Sequence, residues 1–128
     1  TAPGGKRKFG RVSVQQVTDF TAQLAVLIDA GLPVVRSLKV LAKQQKAGGF
    51  KAVIEDVAES VEQGASLSEA FGNHPKAFDR LYVNMIKAGE AGGALEIILQ
   101  RLAEFQERSE SLKRKVKGAL VALLPAKV

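Results

Sequence analysis

The sequence predicts an all-α fold, an antiparallel six-helix bundle with short loops marked by glycine and proline. Three observations predict it. Apolar residues recur by threes and fours along most of the chain, the spacing of one face of a 3.6-residue helix. Glycines stand where these patterns break, and Ser-x-x-Gln or Ser-x-x-Glu stands where two of them begin, which is the chemistry of helix ends. No stretch alternates apolar and polar residues as a half-buried strand would.

The opening residues, Thr1-Ala2-Pro3-Gly4-Gly5 and the basic run behind them, have no periodicity. Residues 1–12 therefore read as a flexible basic linker. No apolar core follows those basic residues, so no secretory signal is expected in this stretch. Ser13 and Gln16 form a capping box ahead of Val14, Val17, Phe20, Leu24, Leu27 and Ile28. This first helix is expected to run to Ala30 and stop at Gly31, with Leu32 folding back on Leu27.

Pro33 suits the first turn of a second helix. That helix sets Val34, Val35, Leu38, Leu41 and Ala42 against Arg36, Lys39 and Lys43, and ends before Gly48-Gly49. A third, over 50–63, sets Phe50, Val53, Ile54, Val57, Ala58 and Val61 opposite Lys51, Glu55, Asp56, Glu59 and Glu62, and stops at Gly64. Ser66 and Glu69 form a second capping box for a short fourth helix, cut by Gly72, Asn73 and Pro75. Asp79 can cap a fifth helix carrying Leu81, Tyr82, Met85 and Ile86, with Gly89 as its expected stop.

A glycine corner and one long helix organise the rest of the chain. The Gly89-Glu90-Ala91-Gly92-Gly93 stretch reads as a tight corner, and the sixth helix is expected to begin near Gly93. Its stripe of Leu95, Ile98, Leu102, Phe105, Leu112 and Val116 is interrupted only at Ser109. The upstream helices are expected to pack against this stripe, burying Leu102 and Phe105 alike.

Composition narrows the function classes. The chain has 128 residues, enough for one domain with a real core. It lacks cysteine, which excludes disulfides and thiolate metal sites, and His74 is its one histidine. The net charge is +6, yet residues 13–112 carry only 10 of the 19 basic residues and all 13 acidic ones. The body is thus mildly acidic and the ends hold the positive charge. The Gly89–Gly93 corner lacks the Gly-Lys-Ser/Thr ending and the preceding strand of a phosphate loop. No nucleophile, base and orienting group stand together, and no Glu-x-x-His pair suggests a metal-binding bundle. An enzyme and a bound cofactor are therefore not expected.

The stretch from Phe20 to Pro33, FTAQLAVLIDAGLP, resembles the opening signature of the type II secretion system F family. Gly64-Ala65-Ser66-Leu67-Ser68-Glu69-Ala70-Phe71, then Pro75 with Phe78, then Gly89-Glu90-Ala91-Gly92-Gly93-Ala94-Leu95 resemble it further and in order. The resemblance implies an inner-membrane platform protein of type II secretion or type IV pilus assembly, with two cytoplasmic helical domains and no catalytic site. This chain resembles the first of the two. Implied partners are a hexameric assembly ATPase, other inner-membrane components and further copies of the platform. The family often has serine where this chain has Gly92 or Gly93, and Tyr-Pro where this chain has Pro125 directly after Leu124.

On this reading residues 13–117 are the cytoplasmic domain, and 118–128 begin, or stop short of, a membrane segment. Lys113, Arg114, Lys115 and Lys117 precede an apolar run, as positive-inside topology expects at a cytoplasmic boundary. Gly31, Pro33, Gly64, Ser66, Gly89, Glu90, Gly92 and Gly93 are the motif residues. The glycines are read as helix stops, and Glu90 either as a cap on the amides of the sixth helix or as a contact to a partner. His74 reads as a solvated loop residue. The acidic face Glu55, Asp56, Glu59 and Glu62 reads as a solvated surface, with a divalent cation between chains as its alternative. Apolar patches at Val26, Val40 and Ile97 point to a homo-oligomer. The sixth helix is expected to act as a lever toward the membrane. The alternative from another class is a basic helical nucleic-acid-binding domain, weakened by where the charge lies.

Overall fold

The computed structural model describes residues 11–124. Residues 1–10 of the expected linker, and 125–128 with Pro125, lie outside the described residues. Six helices follow in order: α1 (Val14–Asp29), α2 (Val34–Gln44), α3 (Gly49–Glu62), α4 (Leu67–Gly72), α5 (Arg80–Gly92) and α6 (Leu95–Leu123). No strand occurs among the described residues.

Helix starts are set by side chains. Ser13 Oγ accepts from the Gln16 N–H while Gln16 Oε1 accepts from the Ser13 N–H, and Ser66 and Glu69 repeat this reciprocal pair at α4. Asp79 Oδ1 accepts from the Tyr82 N–H to start α5. Pro33 is the N-cap of α2, one position before the first turn that its ring suits.

Helix stops are set by backbone. At the end of α1 the Gly31 N–H donates to Ile28 O at 2.9 Å and the Leu32 N–H to Leu27 O at 3.0 Å. This pairing requires Gly31 at φ 94°, where a Cβ would be strained. Gly64, at φ 111°, closes α3 through the same two bonds from Gly64 and Ala65.

The core is aromatic at its centre. Phe20 meets Phe50 and Phe71 edge-on at centroid distances of 5.5 and 6.2 Å, and Phe71 meets Tyr82 edge-on at 5.4 Å. Such edge-to-face pairs add to the burial of large apolar area. Around them Leu24, Leu38, Ile54, Ile86 and Leu99 are fully buried. The polar tip of Tyr82 is satisfied inside by Thr21, with 2.7 Å between Tyr82 Oη and Thr21 Oγ1. Burial drives the Tyr82 pKa far above its ordinary value, so the phenol stays protonated. α6 packs chiefly on α1 and then on α5, α2 on α3, and α4 on α5.

Two expectations are corrected. Gly89 does not end α5: it is buried inside that helix, which runs on to Gly92 and is closed by Gly93 in the left-handed region at φ 71°. α6 starts at Leu95, two residues past Gly93, as the glycine corner led one to expect. The α6 stripe is only half covered, since Leu99, Leu102 and Ala103 are buried while Phe105, Leu112 and Val116 are 54%, 62% and 51% exposed. Phe105 falls on the flank of the face that Leu99, Leu102 and Ala103 bury, whereas Leu112 and Val116 lie past the start of α1. Gln15 Nε2, in the first turn of α1, donates to Glu107 Oε1 at 3.3 Å, so α1 begins level with Glu107 and runs back along the first half of α6. From Leu112 on, α6 is exposed among the described residues.

Candidate functional site

Two groups of sequence-selected residues sit in different parts of the fold. The first surrounds Glu90. This side chain, on α5, is half-buried, and its Oε2 accepts from the Leu67 N–H at 2.8 Å and the Ser68 N–H at 3.4 Å. Glu90 therefore caps α4, and not the sixth helix as the sequence suggested. The capping box of Ser66 and Glu69 satisfies the neighbouring amides, so the start of α4 is closed from its own chain and from α5 together. Gly64 lies two residues before Ser66, at the end of α3. The α3–α4 corner and α5 are thereby held as one piece.

Gly89, next to Glu90, faces α6. A Cβ there would stand 3.0 Å from Ile98 Cγ1 and 3.3 Å from Leu95 Cα, closer than carbon atoms normally approach. Glycine at this position lets α5 and α6 pack backbone to side chain. Gly92 and Gly93 have open space beside them; Gly93 is needed for its backbone angle and Gly92 for neither reason. Gly31 and Pro33 form the α1–α2 corner, and no hydrogen bond joins them to the Glu90 group among the described residues.

The second group is the exposed distal part of α6. Lys113, Arg114, Lys115 and Lys117 lie on its surface, with Lys113 3.5 Å from Glu110 and Arg114 3.4 Å from Glu107. These are exposed pairs of little energetic weight. Leu120, Val121 and Leu123, just beyond, are 59%, 58% and 80% exposed. This combination of a basic band followed by bare apolar side chains is the feature in the fold that most needs a partner. Among the described residues no helix is long and apolar enough to cross a membrane.

Two polar residues depart from their sequence reading. His74 is buried, with its Nε2 2.7 Å from Asp56 Oδ2, so the loop after α4 is tied to α3 and not solvated. Asp56 thus leaves the expected acidic face. Of the rest, Glu62 bonds Lys39 at 2.9 Å and Glu55 lies 3.9 Å from Lys51. No group of three histidine or carboxylate side chains among the described residues is placed to hold a metal ion. Phe20, Phe50, Phe71, Phe78 and Tyr82 are all buried, leaving Phe105 as the exposed ring among the described residues. A single-stranded nucleic acid would find few stacking surfaces here.

Comparison with known proteins places these features. A family model for the type II secretion system (T2SS) protein F matches residues 20–124. The chain is 47% identical over 120 residues to the type IV pilus assembly protein PilC of Myxococcus xanthus, covering 94% of this chain and 28% of that protein. It is 43% identical over 116 residues to the type II secretion system protein F of Xanthomonas campestris, covering 91% and 28%. With the PilC of Thermus thermophilus the identity is 41% over 101 residues, covering 79% and 25%. The chain spans less than a third of the length of each of these relatives. A match over most of the chain, together with the all-helical fold and its glycine corners, shows that this chain belongs to the type II secretion system protein F family.

Proposed function

We propose that this domain is a non-catalytic docking module on the cytoplasmic side of an inner-membrane platform protein. It couples a hexameric assembly ATPase to the polymerisation of pseudopilin or pilin subunits, and it works next to further copies of itself. One observation carries the reading: α6 is exposed from Leu112 on and presents a basic band at 113–117, followed by bare apolar residues. A bilayer with an anionic cytoplasmic leaflet supplies what each part lacks, at about 1 kcal/mol for each basic residue near the surface. Residues 118–124 then lead toward the membrane, and 13–117 form the cytoplasmic body.

The family motif residues act in this reading as framework. Gly31, Pro33, Gly64, Ser66, Gly89, Glu90 and Gly93 set helix ends and the α5–α6 contact. α6 serves as the lever, because 29 helical residues reach about 44 Å from the α5 corner outward.

The test uses the full-length parent in its native cell. Recovery in the inner membrane after a high-salt wash is the expected result, and recovery in the soluble fraction overturns the reading. Ser109→Pro, placed beyond the last buried residue of α6, is expected to abolish assembly while leaving the body folded; unchanged assembly removes the lever.

A further inference from the structure

We propose that the exposed face of α2 is a docking surface for an acidic segment of another protein of the assembly machinery, an inference that rests on the function proposed above. Arg36, Lys39 and Lys43 recur at three- and four-residue spacing, so they line one side of the helix. They rim a shallow depression of about 520 Å³ whose other walls are Pro33, Val35 and Val40. No acidic residue lines it.

The charge is local and only partly paired. From residue 30 to residue 54 the chain has five basic residues and no acidic one, although residues 13–112 as a whole are mildly acidic. On the α3 side Lys39 and Lys43 border Glu55, Glu59 and Glu62, and Glu62 engages Lys39 at 2.9 Å, while Arg36 and Lys43 make no salt bridge among the described residues. A helix or strand bearing carboxylates at matching spacing supplies the complement, and Val35 and Val40 offer it an apolar floor. Charge of this kind steers encounter and selects partner and register more than it adds affinity.

Position favours a protein over lipid. α1 is level with Glu107 at its first turn and hands over to α2 at its other end, about 24 Å away for 16 residues. The basic band of α6 lies on the opposite side of that level. A bilayer at the end of α6 is thus separated from Arg36 by much more than the Debye length of about 8 Å.

The experiment uses the full-length protein in a strain lacking its gene. Wild type restores fibre assembly or secretion, R36K/K43R does the same, and R36E/K43E is expected to fail at normal abundance. A photo-cross-linking residue at Val35 is expected to label an Asp/Glu-rich segment of another machinery protein, with the yield falling about tenfold in the R36E/K43E background. Normal assembly by R36E/K43E overturns the proposal, as does labelling of a second copy of this chain, of lipid or of nucleic acid. Failure of wild type itself to restore assembly counts against the proposed function instead, so the two are told apart.

Discussion

The carboxylate of Glu90 closes a helix to which it does not belong: its Oε2 accepts from the Leu67 N–H, 23 residues earlier, at 2.8 Å. The bond joins the start of α4 to the end of α5, and it gives Glu90 a structural task. Glu90→Ala removes the acceptor from two amides at the start of α4. A loss of about 1–2 kcal/mol is expected, read as a lower urea midpoint with unchanged slope. An unchanged midpoint with lost assembly would instead mark Glu90 as a contact to a partner.

Gly89 and Gly92 should respond oppositely to alanine. The Gly89→Ala methyl group meets Ile98 at 3.0 Å and Leu95 at 3.3 Å, so α5 and α6 must separate, at about 1–3 kcal/mol. The Gly92→Ala methyl group meets nothing within 4 Å on a helical backbone. It should stabilise by up to about 1 kcal/mol through helix propensity. Thermal melts of the two variants test this; equal shifts would contradict the packing at Gly89.

Leu102 and Phe105 lie three residues apart on the same stripe, 2% and 54% exposed. Leu102→Ala should cost about 2–5 kcal/mol by opening a cavity. Phe105→Ala should change stability by less than about 1 kcal/mol. Chemical denaturation of both variants gives the comparison, and a large loss for Phe105→Ala would mean that α6 is covered further along than described.

Tyr82 links the fold to alkaline pH. Its folded pKa is raised by burial above the unfolded value of about 10, so folding favours the protonated phenol. That contribution is complete below about pH 10 and declines as pH rises above it, because the unfolded state then releases a proton that the folded state keeps. Tyr82→Phe is expected to flatten the stability curve above pH 10. Near neutral pH it should cost about 1 kcal/mol for the lost bond to Thr21. An unchanged alkaline slope would refute the burial of the hydroxyl.

Much of this fold was legible because helix ends are local. Ser13 with Gln16, Ser66 with Glu69, Asp79, Gly31 and Gly64 act within a few residues of themselves, so sequence spacing alone exposes them. Periodicity likewise marked Phe20, Leu38, Ile54 and Leu102 as core, since a helix face follows from residue order. The resemblance to the family was carried by the same corners.

What residue order left open was decided by which helices are neighbours. Gly89 looked like a stop, yet α6 lies so close that the position needs hydrogen in place of Cβ. Glu90 looked like a cap for the helix after it, yet the nearer orphan amides belong to α4. His74 looked solvated until Asp56 of α3 stood 2.7 Å away. Leu112 and Val116 keep helical spacing but lose their cover because α1 starts level with Glu107, and Phe105 falls on the flank of the buried face. Capping, periodicity and turn chemistry act over a few residues and can be read along the chain; burial and long-range hydrogen bonds depend on distances that exist only once the helices have packed.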